Sequence, residues 1–430
     1  MIMPDAANPL AELEAEHGPV PSGIPSRAHG HELLPHIVKF SGGRSSAALA
    51  IILAEAGLLR TDRGDAILFA NTSAEHPGTY EFTRKCKRLL ERDFGIPFLW
   101  FEFCTVEDAS RGVYARRPTY RLVRDLPVEE DPRGYRHQGE VFEEMLSYQG
   151  LLPSPHTRSC TAKLKLHPSH QLLAEWFGRT EGPRHAGHHG GRRYIVPEDA
   201  LASYRKSGGK APDDEYLQRV DFMTRQPAAR PAQRWQDYTD AEITLPSPAA
   251  EPASMWGPDA VEHVTLLGLR ADETKRINRV LTRTMFAEGA TTAKCAVRNQ
   301  PPGERPYFPL ADWGYDGVAV QRFWKDRSFD LQVPVDAGNC VFCFMKGTEA
   351  LRAAAIAPDP ARVTGSPADI SWWSEMEEKY AREVPARDGD GISRFGFFGL
   401  RGPTFAEIAD GCPGGSSRYA RGAPACDCTD

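Results

Sequence analysis

Cysteine is the residue type whose spacing points most directly to chemistry in this sequence. Nine cysteines are scattered over 430 residues, and Cys340 and Cys343 form a Cys-x-x-Cys pair within GNCVFCFMKG. Two thiolates at this spacing can bind one metal site, and they can also act as a redox dithiol. The residues leave four interpretations open: half of an iron–sulfur site, half of a zinc site, a dithiol, or two unconnected buried thiols. A zinc site would need a second pair, and Cys426 and Cys428 have an unusual Cys-x-Cys spacing.

A glycine- and serine-rich turn, SGGRSS at Ser41–Ser46, offers a second kind of chemistry. It follows the apolar run HIVKF and precedes the apolar stretch AALAIILAEAGLL, which predicts a strand, a turn and a buried helix. A phosphate at that position would meet free backbone N–H groups, hydroxyl donors and the positive end of a helix. The spacing differs from Gly-x-x-x-x-Gly-Lys-Ser/Thr, which excludes that nucleotide-binding loop. Taken alone, the turn is more simply explained as a plain loop.

Two further stretches are candidates for binding partners. RGVYARRPTYRLVR (Arg111–Arg124) holds five arginines and two tyrosines, a mixture that suits the phosphates and unstacked bases of nucleic acid. The acids of EEDPR follow soon after, so ion pairing within the protein is the alternative. HAGHHGGRR (His185–Arg193) clusters imidazoles that could bind a metal ion, although its glycines are typical of a loop.

Alternating strands and helices must position these residues. AILFA, PFLWFEF and VTLLGL are typical of strands, whereas TYEFTRKCKRLLERDFG and ADETKRINRVLTR are typical of helices. This order predicts an α/β protein with a doubly wound, mostly parallel sheet, a large insertion and a loose C-terminal tail. Ligands of such sheets bind at the carboxyl ends of the strands. The predicted organisation is a leader (1–35), the first part of a nucleotide-binding core (36–179), an insertion or lid (180–260), the second part of the core with Cys-x-x-Cys (261–357) and a C-terminal extension (358–430).

Composition limits the environment in which the chain works. Apolar residues make up 41% and charged residues 26%, as in globular proteins, and the net charge is −6. Any nucleic-acid binding therefore has to come from a local basic face. No run of about 18 apolar residues is present, and the N-terminus carries acids where a signal peptide has cations and an apolar core. We expect no membrane span, a cytoplasmic location and cysteines in the thiol form.

Five segments, taken in order, resemble the phosphoadenosine phosphosulfate reductase family, part of the PP-loop superfamily of adenine nucleotide α-hydrolases. They are SGGRSS, NTSAEHPGTYEF, CTAKLKLHP, GLRADETKR and PLADWG…GNCVFC, and together they span most of residues 36–347. The first resembles the PP-loop, the second the Asp-Thr-Gly…Glu-Thr…Phe block and the third the cysteine–lysine–proline block. The last two resemble the Gly-x-Arg block and the closing Pro-Leu-x-x-Trp and Gly-Cys-x-x-Cys segments. The resemblance implies an adenine nucleotide α-hydrolase-like fold.

The resemblance also implies roles for individual side chains. The nucleotide-binding residues would be Ser41, Gly42, Gly43, Arg44, Ser45, Ser46, Asn71, Thr72, Lys163 and Lys165. Arg270 and Arg276 would bind phosphate or sulfate, and with Glu273 and Cys160 they form the implied catalytic set. The nucleotide would be ATP or a sulfated adenosine nucleotide, with magnesium as a further cofactor. Ser45 stands where ATP-using members carry an Asp that helps to hold magnesium, which argues against metal-assisted ATP cleavage.

Among the interpretations of the cysteines, the resemblance favours an iron–sulfur cluster. Family members with a four-iron, four-sulfur cluster use a Cys-Cys pair in the third block together with the Gly-Cys-x-x-Cys pair. If Pro168 sets the register, Cys160 matches the first cysteine and Thr161 replaces the second. The implied metal ligands are therefore Cys160, Cys340 and Cys343, which would leave one iron open for sulfur transfer. A cysteine of the C-terminal tail could instead supply a fourth ligand.

These inferences combine into one expected function and two alternatives. We expect an enzyme that binds an adenine nucleotide and uses the cluster for sulfur transfer in DNA or RNA modification, with a sulfur donor or a multiprotein complex as a further partner. The first alternative is a sulfonucleotide reductase that attacks sulfur with a tail cysteine, Cys426 or Cys428. The second is a non-catalytic nucleotide-binding subunit of a nucleic-acid-modifying or defence complex.

Overall fold

The computed structural model describes eleven ranges of the chain. They are residues 32–108, 115–155, 157–178, 181–183, 233–244, 263–289, 304–334, 337–338, 340–385, 392–400 and 402–411. Most of the predicted leader and of the predicted insertion lies outside these ranges. The histidine-rich segment and the tail cysteines Cys426 and Cys428 lie outside them as well.

A seven-stranded sheet organises the first part of the fold. Its strands are β1 (His36–Phe40), β2 (Ala66–Asn71), β3 (Phe98–Asp108), β4 (Ala115–Pro127), β5 (Gly134–Tyr135), β6 (His263–Leu267) and β7 (Glu304–Tyr307). The strand order is β5-β4-β3-β2-β1-β6-β7, and every neighbouring pair is parallel except β3 with β4. The predicted α/β architecture with a doubly wound, mostly parallel sheet is therefore confirmed. A separate two-stranded sheet pairs β8 (Arg382–Pro385) with β9 (Ile392–Phe395).

Helices cover the sheet and build the C-terminal part. They are α1 (Arg44–Glu55), α2 (Pro77–Phe94), α3 (Glu140–Gln149), α4 (His167–Phe177), α5 (Thr274–Gly289), α6 (Pro309–Asp312), α7 (Gly317–Lys325), α8 (Thr348–Ile356), α9 (Ile370–Tyr380) and α10 (Phe405–Ala409). A short π-helix (Thr161–Leu166) runs directly into α4. Within the described part of the chain, no helix is long and apolar enough to cross a membrane.

The hydrophobic core forms in layers on both faces of the sheet. Helix α1 is buried nearly all round, as its run of alanine, isoleucine and leucine predicts, and it packs on one face with α2 and α7. On the other face Trp176 of α4 packs with Trp235, which belongs to the predicted insertion. A separate cluster joins α3, α9 and α10 around Trp373 and Phe397. Helix α9 carries the adjacent tryptophans Trp372 and Trp373, and both are buried.

Strand β4 has no clear apolar alternation in the sequence, because arginines interrupt it. Arg121 of this strand is mostly buried and donates to Glu102 of β3. It also lies 3.8 Å from the carboxylate of Glu144 on α3. These acids lie on the neighbouring strand and on α3, and their pairing with Arg121 lets an arginine-rich stretch form a long strand antiparallel to β3.

Candidate functional site

The Ser41–Ser46 turn lies between β1 and α1, at the carboxyl edge of the sheet. Gly42 has a φ of 81°, a left-handed conformation that favours glycine, and a Cβ there would lie 2.7 Å from Cγ2 of Thr79. The Ser46 hydroxyl accepts from the backbone N–H of Ser41 and donates to the carbonyl of Gly43. The turn therefore has a defined shape, braced from within by one buried hydroxyl.

The amino end of α1 carries no side-chain cap. Gly43 is the N-cap, no side chain caps the helix, and no acidic residue lies in the first turn. Uncapped N–H groups at a helix start favour an anion. The Ser45 hydroxyl accepts a hydrogen bond of 3.2 Å from the Arg270 guanidinium. The structure thus brings two predicted phosphate-binding groups together.

Arg270 follows β6, the strand beside β1 in the sheet, at the point where the strand order reverses. Asp272 holds its guanidinium through two hydrogen bonds of 2.9 and 3.0 Å. Glu273 accepts from the backbone N–H of Arg270 and from the side chain of Arg276. Glu273 therefore fixes the geometry of the arginine-bearing segment, whereas Arg270 is the group directed at the loop.

Arg44, predicted to bind nucleotide, points elsewhere. Its guanidinium donates to both carboxylate oxygens of Asp330, at 2.7 and 2.9 Å, and to the carbonyl of Leu331 at 2.7 Å. Its backbone N–H still belongs to the open first turn of α1. The side chain, however, joins the loop to a segment nearly three hundred residues away in the sequence.

Asn71 ends β2 and is fully buried, and the structure places it in a polar network. Its Nδ2 donates to Glu102 at 2.8 Å and to the carbonyl of Arg136 at 2.7 Å, while its Oδ1 accepts from the N–H of Ser73. Glu102 also accepts from the guanidinium of Arg136. Burial disfavours the Glu102 carboxylate, but Arg136 and Arg121 hold its pKa below the usual range. Asn71 thus orders the end of β2.

Thr72 directly follows β2 and lies next to Cys340. Its hydroxyl donates to Glu75 at 2.8 Å and lies 3.6 Å from Sγ of Cys340. Tyr80 donates to the other Glu75 oxygen at 3.2 Å. Burial raises the pKa of the Glu75 carboxyl, against the opposing charge of Lys165 and the two hydroxyl donors. A buried acid therefore lies beside the predicted cysteine site, at the strand end next to the loop.

The three predicted metal ligands belong to, or pack against, one hydrophobic cluster. Cys340 and Cys343 are buried members of the cluster around Trp373, and Cys160, half-buried, packs against the same cluster. Among the described residues, no group of three or more cysteine, histidine or acidic side chains is arranged to hold a metal ion. The donor set as it stands does not form a closed metal centre, and the iron–sulfur cluster stays a prediction from the resemblance.

The π-helix carries the two predicted lysines. Its N-cap is Cys160, and this rare helix type is frequent at functional sites. Lys163 lies over the ring of Tyr148, 5.9 Å from its centroid. Lys165 is close enough to Glu75 to oppose the rise in its pKa. Lys165 therefore faces the cysteine side of the site.

The arginine-rich stretch is divided by the structure. Arg121 pairs with Glu102, and Arg124 donates to the carbonyl of Asp237 and to Asp131. These two arginines therefore pair with groups of the protein itself, which is the alternative to nucleic-acid binding. Residues 109–114 lie outside the described residues.

Two groups of predicted residues lie along the carboxyl ends of β1, β2 and β6. One group is the loop with Arg270, and the other is the cysteine turn with Thr72 and Lys165. Sequence inspection missed Glu75, whose signal was an acid in the turn that follows a buried strand. It also missed the buried pair of His76 and Asp359, in which Nε2 donates at 2.9 Å because Nδ1 accepts from the N–H of Gly78.

Comparisons with known proteins add little to this geometry. No protein-family model matches the chain, and no solved structure matches it. A segment of 87 residues is 31% identical to the uncharacterized nin region protein ORF290 of Escherichia phage lambda. That segment covers 20% of this chain and 22% of the phage protein, whose name states no activity.

Proposed function

We propose that the chain is an adenine-nucleotide-binding enzyme similar to the phosphoadenosine phosphosulfate reductases, acting in sulfur chemistry. One observation carries the proposal: Arg270 contacts Ser45 at the open amino end of α1, and the cysteine turn lies at the end of the neighbouring strand β2. A phosphate-binding element and thiols thus share one edge of the sheet, where ligands of such sheets bind.

The nucleotide end of the site works by charge and hydrogen bonding. The uncapped N–H groups of α1 and the hydroxyl of Ser45 would contact the phosphates. Asp272 accepts two hydrogen bonds from Arg270, and another nitrogen of the guanidinium donates to Ser45, so the side chain is already directed at the loop. A planar guanidinium in this state binds phosphate or sulfate oxygens at little entropic cost.

The cysteine end supplies the sulfur chemistry. Cys340 and Cys343 are the proposed reactive thiols, with Cys160 on the same apolar cluster. An iron–sulfur cluster on these residues would add electron transfer and an open iron, but the described side chains do not form a metal centre, so no step is assigned to it. Nucleic acid as the substrate stays a prediction, because the described arginines Arg121 and Arg124 pair within the protein.

Nucleotide binding to Arg270→Ala tests the phosphate site. Calorimetric titration with ATP and with phosphoadenosine phosphosulfate compares the two nucleotide classes. We expect the preferred nucleotide to bind about ten- to one-hundredfold more weakly, since hydrogen bonds to charged groups contribute roughly 1.5–3 kcal/mol. Arg60→Ala is the matched control. Arg60 donates to Asp62 from Nε and Nη2, just as Arg270 donates to Asp272. Equal affinity of the Arg270 variant and the wild type would refute the assignment.

Iron and acid-labile sulfide analysis tests the cluster separately. The protein is purified without oxygen, and the wild type is compared with Cys340→Ser. About four of each per chain, lost in the variant, would establish the cluster. Cys86→Ser is the control, because Cys86 is buried inside α2. If neither iron nor acid-labile sulfide is found, the cluster is ruled out and the free thiols remain as the proposed reactive groups.

A further inference from the structure

We propose that Lys39 binds a second anionic group of the nucleotide, on the α4 face of β1, and takes up a proton as it does so. This inference rests on the proposed function, because it extends the phosphate site of the Ser41–Ser46 turn. Lys39 is the last residue but one of β1, two positions ahead of that turn. The ligand group would be a phosphate or a sulfate, for which an ammonium is a common point of charge.

The side chain of Lys39 lies on the face of the sheet against which α4 packs. Its Nζ donates to Oγ of Ser169 at 3.1 Å, and that hydroxyl donates its own hydrogen to the carbonyl of Leu166. An ammonium has three donors, and in the described part of the chain Ser169 is the one acceptor that Lys39 reaches. The residue is half-buried, so the other two donors are left for a ligand or for water.

The charge of Lys39 has no close counter-ion among the described residues. Burial lowers the pKa of its amine to about 8, and the more distant charge of Glu304 opposes this change. At pH 7 about nine in ten of these amines still carry the proton. A partly desolvated cation without a paired carboxylate is costly, and an anion bound beside it would offset that cost.

The register of the sheet explains why Glu304 does not neutralise Lys39. Lys39 pairs with Leu267, three residues before Arg270, whereas Glu304 pairs with His263 at the start of β6. Strand β6 lies between β1 and β7, so the acid is two strands across from the amine and nearer the amino end of the sheet. Lys39 is therefore next to the edge that carries Arg270 and the phosphate-binding turn.

A second polar group on α4 points to a ligand near Lys39. Nε2 of His170 is buried, and no described group forms a hydrogen bond with it. Burial lowers the pKa of His170 well below its usual range, and the charges of Lys39, His167 and His263 act in the same direction. His170 is therefore neutral near pH 7, and its Nε2 can form one hydrogen bond to the ligand without adding charge.

Anion binding and protonation of Lys39 are thermodynamically linked. A bound anion favours the ammonium, so binding raises the pKa of Lys39 and takes up a proton. The uptake should be about half a proton per ligand at pH 8 and close to zero at pH 6.5. The affinity should fall about tenfold between pH 8 and pH 9.5, a range in which phosphate groups are already fully ionised.

Calorimetric titration in buffers of different ionisation enthalpy measures the proton uptake. ATP and phosphoadenosine phosphosulfate are the probes. Lys39→Met should bind about tenfold more weakly at pH 8 and without proton uptake. Lys39→Arg keeps a cation that does not titrate, so it should bind without uptake and with the same affinity at pH 8 and pH 9.5.

Lys85→Met is the matched control. Lys85 is 48% exposed and lies on α2, which packs on the opposite face of the sheet. Its proton uptake and affinity should equal those of the wild type.

A second arm needs neither a nucleotide nor a variant. Trace acetylation with acetic anhydride, followed by peptide mass spectrometry, gives the neutral fraction of the Lys39 amine at each pH. The midpoint should lie near pH 8 in the free protein and rise by about one to three units with saturating inorganic phosphate. Lys85 in the same digests is the internal reference, and phosphate should leave its labelling unchanged.

The outcomes separate this inference from the proposed function. Equal proton uptake in the wild type and Lys39→Met overturns the role of Lys39, and so does a midpoint that neither phosphate nor nucleotide raises. If neither nucleotide binds but phosphate raises the midpoint, the proposed function fails and the anion site beside α4 stands, with a free anion as its ligand. If Lys39→Met does not fold, Lys39→Arg and the acetylation arm decide.

Discussion

Replacement of Asn71 by Asp distinguishes a structural role for this residue from a role in nucleotide binding. The resemblance places an Asp at this position and gives it a contact with the nucleotide. In the structure the amide donates to the Glu102 carboxylate at 2.8 Å and to the carbonyl of Arg136 at 2.7 Å. Asn71→Asp would therefore set an oxygen against two oxygens in a fully buried position.

The magnitude follows from these contacts. Loss of a hydrogen bond to a charged group and one to a carbonyl costs roughly 2–4 kcal/mol, which Asn71→Ala should show by itself. Asn71→Asp adds a second carboxylate beside Glu102, and two such groups cannot both ionise without cost. We expect a further loss of about 2 kcal/mol near pH 7.5, the equivalent of a pKa raised by between one and two units.

The pH dependence of the unfolding free energy identifies the effect of the added carboxylate. A carboxyl whose folded-state pKa lies above its unfolded value holds more protons in the native protein, so raising the pH destabilises the variant. The gap between Asn71→Asp and Asn71→Ala should widen from pH 5 to pH 7.5. Urea unfolding followed by tryptophan fluorescence measures it, and Trp100 in the adjacent strand is a buried reporter.

Two results would refute this account of Asn71. One is a stability of Asn71→Asp equal to that of the wild type at pH 7.5, which would mean that the amide does not face Glu102. The other is an equal loss in the Asp and Ala variants at both pH values. A folded Asn71→Ala with normal stability and weakened nucleotide binding would instead favour the role implied by the resemblance.

Three further predictions use the same unfolding assay. Gly42→Ala should cost about 1–3 kcal/mol and weaken nucleotide binding, whereas Gly57→Ala, also at positive φ but with no atom nearby, should cost only the backbone strain. Burial lowers the pKa of Lys39 to about 8, so the wild type should gain up to about 3 kcal/mol relative to Lys39→Met as the pH rises from 7 to 10.5. Glu102→Gln should cost about 3–5 kcal/mol at neutral pH, because it leaves buried guanidinium groups without their carboxylate. Arg136 and Arg121 keep the Glu102 pKa low despite burial, so the difference from the wild type should shrink as the pH falls below 4.5.

Local patterns were enough for the elements around the loop. HIVKF, SGGRSS and the apolar run after it predicted β1, the turn and α1, because strand, turn and helix signals act over a few neighbouring residues. The stretch TYEFTRKCKRLLERDFG predicted α2 for the same reason, and the helix is capped by the glycine that ends that stretch. The mostly parallel sheet followed from the alternation of strands and helices, since parallel strands need a crossover, whereas the strand order came from the structure. The loop and Arg270 were accordingly expected at one edge of the sheet, and they meet there.

Long-range pairing was beyond any local pattern. Arg44 meets Asp330 across 286 positions, and Asn71 is satisfied by Glu102 and Arg136. The residue type set what each group can donate, but the fold chose which acceptor lies within reach, because a buried polar group takes the partner that removes its desolvation cost. The sheet, the loop and the candidate thiols were accessible from the sequence, because their signals are local. The partners of Arg44 and Asn71, and the buried Glu75 near Cys340, depend on the packing of distant segments.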